Sequence, residues 1–241
     1  MTHAAPAPAA ANAPLVASLR GVCRHYRTEA GVVRALEGVD LDVAQGEMLA
    51  IAGPSGSGKT TLLGLIGALD SASSGSLVVA GADLATLSRK EAALLRRDRI
   101  GFVFQAYNLV PVLTALENVE YVMLLQGRDK AERQRRALQV LAEVGLRDHA
   151  HRRPSELSGG QQQRVAVARA LAAEPALILA DEPTANLDST TAAALLDMMQ
   201  TLNREHCTTF VFSTHDPMVM ERASRIVRLH DGQVQSEERR A

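Results

Sequence analysis

The sequence predicts an α/β protein: a mixed sheet flanked by helices, with an N-terminal antiparallel β-subdomain and an inserted helical subdomain. Three observations predict it. An apolar run at 48–52 precedes a glycine-rich loop and an apolar periodic segment at 62–69, which is the order strand, loop, helix. Alternating apolar residues across 15–43 predict antiparallel strands. A helical pattern from 107 to about 150 then interrupts the succession of strands and helices.

The bulk composition predicts a globular protein with reduced thiols. The chain has 241 residues, is 46% apolar, and carries a formal net charge of −1 with acidic and basic residues interspersed. Such a charge offers no field for nucleic acid or an anionic membrane, so no nucleic acid is expected as a partner. Cys23 and Cys207 lie far apart and follow no metal-ligand spacing, which favours two free thiols over a disulfide.

Both ends of the chain are predicted to lie outside the folded domain. Residues 1–14 are rich in Ala and Pro and lack a basic start, which predicts a disordered tail and not a signal peptide. Residues 235–241 are predicted to be a charged tail, so the domain would span 15–234. No segment approaches the roughly 20 apolar residues that a membrane-spanning helix needs.

The loop after the first apolar run has the P-loop pattern G-x-x-x-x-G-K-[ST]. Its members are Gly53, Pro54, Ser55, Gly56, Ser57, Gly58, Lys59 and Thr60, followed by Thr61. Glycines permit backbone angles that side chains forbid, so successive amides and the helix N-terminus can surround a polyphosphate. Lys59 is expected at the outer phosphates and the Thr60 hydroxyl on Mg²⁺. The flanking strand and helix favour a nucleotide site over an ordinary glycine-rich turn.

Two further residues are candidates before the helical segment. Tyr26 is one of three tyrosines in a chain that has no tryptophan, and it belongs to the predicted antiparallel sheet. It is a candidate for stacking on an adenine ring, although a core tyrosine is at least as common. Gln105 follows the apolar strand 100–104, at the sheet edge where ligands bind in open α/β sheets. There it would reach both Mg²⁺ and water, but a glutamine that ends a strand is not informative alone.

The last helix of the inserted subdomain, which spans about 107–160, begins at a second glycine pair. Ser158 and Gln161 have the spacing of a capping box around Gly159 and Gly160. The pattern predicts a well-capped helix that runs to Ala173. A capped N-terminus with two glycines would also let backbone amides approach a phosphate, and the two interpretations are compatible.

Polar residues follow the next two predicted strands. Asp181 and Glu182 end the apolar run 176–180, where a carboxylate would hold Mg²⁺ and Glu182 would deprotonate the attacking water. His215 ends the strand 208–214, where a contact to the terminal phosphate is plausible. A lone acidic turn after a strand is equally often structural, and a lone histidine is usually structural, so these assignments depend on the preceding P-loop.

Together these motifs resemble the ATP-binding subunit of the ABC transporter family over residues 15–234. The motifs, in the family's order, are the P-loop 53–60, Gln105, LSGGQ at 157–161, LILADE at 177–182, NLD at 186–188 and His215. The resemblance implies ATP and Mg²⁺ as cofactors, with Tyr26 on the adenine and Asp188 near the nucleotide. It also implies that Ser158, Gly159 and Gly160 contact ATP held by a second copy, in a head-to-tail two-fold dimer.

Within the family, several stretches look like the lipoprotein-releasing and macrolide-efflux branch. They are Gly46–Met48, Gly67–Asp70, Leu95–Arg97, Ile100–Gln105, Thr114–Val119 and Arg153–Leu157; Ala185 departs from the glycine of much of this branch. The branch implies a separate permease, a position at the cytoplasmic face of the inner membrane, and export or lipoprotein release. A periplasmic adaptor is a further partner that the resemblance leaves open.

Three other functions agree less well with these motifs. An import ATPase for small polar nutrients is disfavoured by the NLD, GFVFQ and ENV stretches. A soluble ABC-type protein that acts on DNA or ribosomes usually has two ATPase modules or a long coiled-coil insertion, and neither is present. A non-catalytic subunit is disfavoured because Lys59, Asp181, Glu182 and His215 are all present.

Overall fold

The computed structural model describes residues 13–29 and 31–240, so the predicted tail 1–14 lies outside the described residues except for its last two positions. The strands are β1 (Leu15–Thr28), β2 (Gly31–Ala44), β3 (Met48–Ala52), β4 (Ser74–Val79), β5 (Ala82–Asp83), β6 (Ile100–Val103), β7 (Leu177–Asp181), β8 (Phe210–Thr214), β9 (Arg225–His230) and β10 (Gln233–Arg239). The helices are α1 (Lys59–Ile66), α2 (Arg89–Arg99), α3 (Ala115–Leu125), α4 (Lys130–Glu143), α5 (Gly159–Ala172), α6 (Ser189–His206) and α7 (Pro217–Arg222).

The larger sheet has six strands in the order β10-β9-β3-β8-β7-β6. Its strands are parallel except for β10, which is antiparallel to β9, so the predicted mixed sheet is confirmed. Because β3, β8, β7 and β6 are parallel neighbours, their carboxyl ends lie along one edge. The residues that follow these strands are therefore brought together there.

Alternation along the buried strands divides the core between the two faces of this sheet. Leu49 and Ile51 pack in the cluster that contains α1 and the antiparallel strands. Phe210 and Phe212 pack on the other face, in the cluster that contains α3, α4, α5 and α6. All four side chains are fully buried, and each such burial stabilises the fold by about 1.5–3 kcal/mol.

The smaller sheet is antiparallel and has the order β2-β1-β4-β5. It confirms the antiparallel subdomain predicted from 15–43, to which the chain later adds β4 and β5. Strand β1 pairs with β2 along its whole length but with β4 only from Ala17 to Cys23. The ends of β1 and β2 near the turn therefore form a two-stranded ribbon, and this ribbon lies beside the loop that leads into α1.

The inserted segment is helical, as predicted, but helix begins later than position 107. Helix α3 starts at Ala115 because Thr114 caps it, with the Glu117 carboxylate accepting from the Thr114 backbone N–H at 2.8 Å. Helices α3 and α4 bury Met123 and Leu141 against α5. Since this cluster is continuous with the side chains of β8, the helices pack directly on the six-stranded sheet.

The C-terminal prediction is corrected by the structure. Residues 235–239, predicted to be a charged tail, belong to β10 and pair with β9. The strand is an exposed edge, so its charged side chains face water while its backbone is paired. Arg225 on β9 is buried and its guanidinium Nε lies 2.7 Å from a Glu237 carboxylate oxygen, which explains how a charged segment extends the sheet.

Candidate functional site

The loop between β3 and α1 is shaped by glycines at positions where a side chain does not fit. Gly58 has φ +101°, and a Cβ there would lie 2.5 Å from the carbonyl oxygen of Ala35. A Cβ on Gly53 would overlap the carbonyl oxygen of Leu229. Gly58 is also the N-cap of α1, and it caps the helix with no side chain. The first-turn amides of α1 are thus open to an anion.

Lys59 lies inside this loop. Its ammonium donates to the carbonyl oxygens of Gly53 at 2.7 Å and Pro54 at 2.9 Å, and the residue is 8% exposed. The buried Ser57 hydroxyl has no hydrogen-bond partner within residues 13–29 and 31–240. The buried ammonium and the unpaired hydroxyl are both hydrogen-bond donors, and phosphate oxygens accept hydrogen bonds from such groups.

Glu182 and His215 form a pair at the carboxyl ends of β7 and β8. The Glu182 carboxylate lies 2.7 Å from Nδ1 of His215, and the Thr214 hydroxyl lies 3.5 Å from its other oxygen. Glu182 has φ +45°, a left-handed conformation that is uncommon for a side-chain-bearing residue and typical of functional sites. Its side chain is 17% exposed against 72% for His215, so the carboxylate lies behind the imidazole.

Gln105 lies on the segment that follows β6. Its carbonyl oxygen accepts a hydrogen bond from the Asn186 side-chain amide at 2.9 Å, which ties this segment to the turn after β7. Its side chain borders a cavity of about 640 Å³. The cavity is lined by Val33, Arg34, Ala35, Pro54, Ser55, Gly56, Gly58, Lys59, Thr60, Thr61, Gln105, Glu182, Ala185 and His215. The structure thus brings the P-loop, Gln105, Glu182 and His215 to one cavity.

Asp181 ends β7, beside this group. One of its carboxylate oxygens, Oδ1, is buried and has no hydrogen-bond partner in the part of the chain that the structure describes. A buried carboxylate oxygen without a donor is costly unless a cation or water pairs with it.

Tyr26 is held to one side of the cavity. Its hydroxyl donates to the Asp70 carboxylate at 2.8 Å, and the Arg24 guanidinium lies 4.4 Å from its ring centroid. The described residues that line the cavity do not include Tyr26, but they include Val33, its cross-strand partner. Tyr26 therefore lies on the strand next to a residue of the cavity, with Arg24 over one face of its ring.

The LSGGQ segment starts α5 at a different place. Ser158 is the N-cap, its hydroxyl accepting from the Gln161 amide at 3.3 Å while the Gln161 side chain accepts from the Ser158 amide at 2.9 Å. The predicted capping box is therefore present. Among the described residues that line the cavity, none comes from 158–161. One chain alone does not join this helix start to the P-loop.

The two glycines of LSGGQ have a packing role that the sequence interpretation did not include. A Cβ on Gly159 would lie 2.6 Å from the Tyr107 hydroxyl, and one on Gly160 would overlap the Thr191 side chain. Thr191 is held by Asp188, the N-cap of α6, through the Asp188 carboxylate. These hydrogen bonds lower the pKa of Asp188 below its ordinary value. The starts of α5 and α6 therefore pack closely.

Two residues that connect α5 to the cavity were missed. Gln163 is fully buried and its amide donates to the carbonyl oxygens of Phe104 at 3.2 Å and Pro183 at 2.8 Å, which flank Gln105 and Glu182. Arg169 donates to the carbonyl oxygen of Tyr107 at 3.2 Å, and burial lowers its pKa. The sequence signal that could have identified both residues is a polar side chain at a position on the buried face of a helix.

A parallel sheet that delivers a glycine loop with a buried lysine, a carboxylate pair and a histidine to one edge defines a P-loop nucleotide-binding protein. The family model described as ABC transporter matches residues 36–185. The chain belongs to the ABC transporter family and is an ATPase of that family. Among the helices of the described residues, none is long and apolar enough to cross a membrane.

Known relatives agree with the branch predicted from sequence. The lipoprotein-releasing system ATP-binding protein LolD of Chromohalobacter salexigens is 43% identical, over 94% of this chain and 96% of that protein. The macrolide export ATP-binding/permease protein MacB 1/2 of Paracoccus denitrificans is 47% identical over 94% of this chain, which spans only 34% of that relative. The predicted likeness to the lipoprotein-releasing and macrolide-efflux branch is confirmed.

A solved structure agrees with the fold. It is the dimeric, post-hydrolysis state of an ATP-binding cassette bound to ADP and Pi, whose protein comes from Methanocaldococcus jannaschii. The similarity has a TM-score of 0.85 and 43% identity, and it covers 93% of this chain and 99% of the other. The predicted fold class is therefore confirmed.

Proposed function

We propose that two copies of the chain clamp two Mg²⁺-ATP molecules between them and thereby drive a separate membrane permease. The observation that carries the proposal is the separation, within one chain, of the P-loop cavity from the capped start of α5. Two chains related by a two-fold axis would place Ser158, Gly159 and Gly160 of each copy on the nucleotide of the other. The dimer bound to ADP and Pi among the relatives supports this arrangement.

In each half of the proposed site, the P-loop binds the phosphates. The loop amides and Lys59 would contact them, with the Lys59 ammonium exchanging its carbonyl partners for phosphate oxygens. Tyr26 would stack on the adenine, which requires Arg24 to leave or share the ring. Asp188, Gln161 and Thr61 would complete the nucleotide surroundings.

Three oxygen donors fit a magnesium ion: the Thr60 hydroxyl, the Gln105 side-chain amide and the Asp181 carboxylate. The buried, unpaired Oδ1 of Asp181 supports this assignment, because a cation or its water would satisfy it. When bound, the ion would neutralise charge on the phosphates. The protein's part is to hold these three donors at the same sheet edge.

Glu182 is the proposed general base and His215 its partner. The 2.7 Å hydrogen bond between them orients the carboxylate, and His215 is exposed enough to reach a terminal phosphate. When Glu182 takes a proton from the attacking water, His215 would stabilise the charge that develops on the phosphate. The chain then has the residues for hydrolysis as well as for binding.

The permease is proposed to dock beside the segment 105–118. A groove of about 430 Å³ lies between α3 and β6, where it is bordered by Phe104, Val122 and Leu125. Val112 and Leu125 are 71% and 51% exposed, which is typical of an interaction surface. The subunit would thus be peripheral at the cytoplasmic face of the inner membrane and serve export, lipoprotein release or another task that transmits motion across the membrane.

Mixing two inactive variants tests the shared site. Lys59→Ala damages the P-loop, and Ser158→Asp keeps the helix cap but opposes a phosphate with negative charge. At an ATP concentration near the wild-type Kd, each variant alone should be nearly inactive. In a mixture, half of the dimers are mixed and each has one intact site, so we expect about one quarter of the wild-type ATPase rate. An unchanged, near-zero rate in the mixture would contradict the shared site.

Ser88→Asp is the matched control for Ser158→Asp. Ser88 caps α2 with the same capping box, so the same substitution is made at an equivalent helix start away from the cavity. We expect its ATPase rate to remain at the wild-type level. If Ser88→Asp were as inactive as Ser158→Asp, the loss would reflect damage to a helix cap and not contact with a nucleotide.

The permease is tested by co-purification from membranes of cells that express Leu125→Asp, with Leu15→Asp as the matched control. Leu15 is equally exposed, at 51%, but lies on the antiparallel sheet. We expect only Leu125→Asp to lose the membrane protein. Recovery of a permease with a large periplasmic domain supports export or lipoprotein release, whereas recovery of a transporter with a solute-binding protein supports the importer. Recovery of neither would favour a soluble ABC-type ATPase.

A further inference from the structure

Three potential metal ligands meet on one face of the hairpin formed by β1 and β2. Nε2 of His25 lies 3.0 Å from one Glu37 carboxylate oxygen, and Sγ of Cys23 lies 4.0 Å from the other. A sulfur, a nitrogen and an oxygen from the three side chains all lie within 4.8 Å of one another. The three residues are half-buried, so water and ions reach them.

Their position follows from the alternation of side chains along a strand. Cys23 and His25 are two residues apart and point to the same face of β1. The intervening Arg24 points to the other face, where it pairs with Asp70 at 2.7 Å, as does the hydroxyl of Tyr26. The cluster is therefore separate from the contacts that hold Tyr26 beside the nucleotide cavity.

We propose that Cys23, His25 and Glu37 bind a zinc-type transition metal ion. Thiolate, imidazole and carboxylate are the ligands that Zn²⁺ takes in proteins. Because the thiolate and the carboxylate each carry a negative charge, they would neutralise a divalent ion. Cys23 and His25 belong to β1, whereas Glu37 belongs to β2. A metal ion bound by all three would therefore join the two strands.

The two distances from Glu37 to the other ligands are close to those that a tetrahedral ion requires. In tetrahedral coordination, metal–ligand distances of about 2.0–2.3 Å place neighbouring ligand atoms roughly 3.4–3.6 Å apart. The distance of 3.0 Å between His25 Nε2 and Glu37 is slightly shorter than this, and the distance of 4.0 Å between the Cys23 sulfur and Glu37 is slightly longer. Rotation of these side chains would bring the three ligand atoms to the required spacing. The Gly38 amide donates to the Cys23 sulfur at 3.2 Å, which fixes the position of the sulfur beside Glu37. Arg34 lies 3.9 Å from Glu37 but is 72% exposed and free to turn away.

A fourth ligand has room beside the cluster. A surface cavity of about 550 Å³ adjoins it, lined by Cys23, Glu37, Gly38, Asp40, Gln233 and Val234. The Asp40 carboxylate also lines this cavity, where one of its oxygens accepts from the Gly21 amide at 2.8 Å. Water in the cavity would complete four-coordination.

The site would hold the hairpin where its pairing is least regular. The register between β1 and β2 shifts between Val22 and Arg24 and again between Arg24 and His25, and β1 has no β4 partner beyond Cys23 among the described residues. Bulges re-aim side chains and interrupt ladder hydrogen bonds. A metal bridge from β1 to Glu37 on β2 would tie the strands together just before the ribbon that carries Tyr26.

Cobalt binding to the purified full chain tests the proposal. We expect one Co²⁺ per chain, with the charge-transfer absorption of a thiolate ligand, and displacement by Zn²⁺, which such sites bind more tightly. Cys23→Ser should abolish that absorption, and Glu37→Gln should weaken binding by about tenfold or more. Zn²⁺ at a hundredfold excess over its Kd should raise the Tm of the wild type by about 5 °C.

Cys207→Ser is the matched control, because Cys207 is the second free cysteine and follows His206. This variant should keep the full cobalt spectrum. A spectrum without thiolate absorption in the wild type, or one that is lost in Cys207→Ser and kept in Cys23→Ser, would overturn the proposal.

A second measurement decides the matter if Cys23→Ser does not fold. In the Cys207→Ser chain, Cys23 is the remaining thiol, and its rate of alkylation by iodoacetamide is measured with and without Zn²⁺. We expect Zn²⁺ to slow alkylation by about tenfold or more, since a metal-bound thiolate is shielded. An unchanged rate at saturating Zn²⁺ would show that the ion does not bind this sulfur.

Discussion

The starts of α1 and α5 are two solutions to the same physical problem, the unpaired amides at a helix N-terminus. Helix α1 begins at Gly58, in a left-handed conformation, and no side chain caps it among the described residues. Helix α5 begins at Ser158, whose hydroxyl and the Gln161 side chain satisfy amides reciprocally. The first start keeps its donors for a ligand, whereas the second is satisfied within its own chain.

Because of this difference, both helix starts can remain folded with and without a bound nucleotide. The P-loop lies in a cavity and holds its lysine on loop carbonyls, so the cost of its open amides is limited. The start of α5 faces solvent, where its cap allows it to remain folded without a ligand. A phosphate would therefore bind strongly at the start of α1, where the amides are unpaired. At the start of α5, where the amides are already capped, it would gain only the energy of its own contacts. Substitutions at Glu182, Lys59, Ser158 and Asp188 should each change one part of this arrangement.

Glu182→Gln should separate binding from hydrolysis. The substitution keeps the shape of the side chain and removes its basicity, so turnover should fall by about 10²-fold or more while ATP still binds. ATP should then hold the two helix starts together in a long-lived dimer, measured by light scattering after size-exclusion chromatography. Glu205→Gln, on the exposed end of α6, is the control. Normal turnover by Glu182→Gln would show that another group is the base.

Lys59→Ala should weaken the binding of ATP to the P-loop and leave the start of α5 unchanged. Loss of a charge-assisted contact costs about 1.5–3 kcal/mol, which is roughly a 10- to 100-fold rise in the Kd for ATP. Isothermal titration measures the Kd, with Lys90→Ala on exposed α2 as the control. An unchanged Kd for Lys59→Ala would mean that the loop does not bind the phosphates.

Ser158→Ala should destabilise the start of α5 by about 1 kcal/mol, the usual value of a lost N-cap. For a chain of this size the Tm should fall by about 2–4 °C. Ser88→Ala removes the same kind of cap from α2 and should lower the Tm similarly. Only Ser158→Ala should also weaken the ATP-dependent dimer. If both variants weakened it equally, the two helix starts would not differ in function.

The acid dependence of stability should reflect Asp188, which caps α6. Hydrogen bonds from Thr191 lower the pKa of Asp188 in the folded chain, so its contribution is complete above the unfolded value of about 3.9 and is lost as pH falls through the folded value. Asp188→Asn keeps a capping residue without this titration. We expect the Tm of the wild type to fall more steeply than that of Asp188→Asn below about pH 4. Parallel curves would contradict the assignment.

Much of the fold followed from local patterns. The strand, loop and helix around the P-loop, the alternating segment of β1 and β2, and the capping box at Ser158 all appear where the sequence predicted them. The start of α3 and the end of the chain did not. Charged residues at 235–239 indicated a solvated tail, but a strand at a sheet edge needs only backbone pairing and tolerates charged side chains on its exposed faces.

The candidate site, like the fold, was only partly predictable from sequence. The residue types at the ends of β3, β6, β7 and β8 were predictable from sequence, because each motif is contiguous. The parallel order of such strands then places their ends together. The sequence alone did not reveal Gln163 or the cluster of Cys23, His25 and Glu37, because these depend on contacts between residues from separate elements.

Tertiary structure places the P-loop and the start of α5 apart within one chain, which motif order in the sequence does not show and only the family resemblance implied. It also decided that Tyr26 lies against Arg24 and Asp70, and that one face of the hairpin gathers a thiol, an imidazole and a carboxylate. The physical reason is that local propensity acts over a few residues, whereas distances between side chains depend on how sheets and helices pack. Chemistry that needs two elements is therefore visible only once both have been placed.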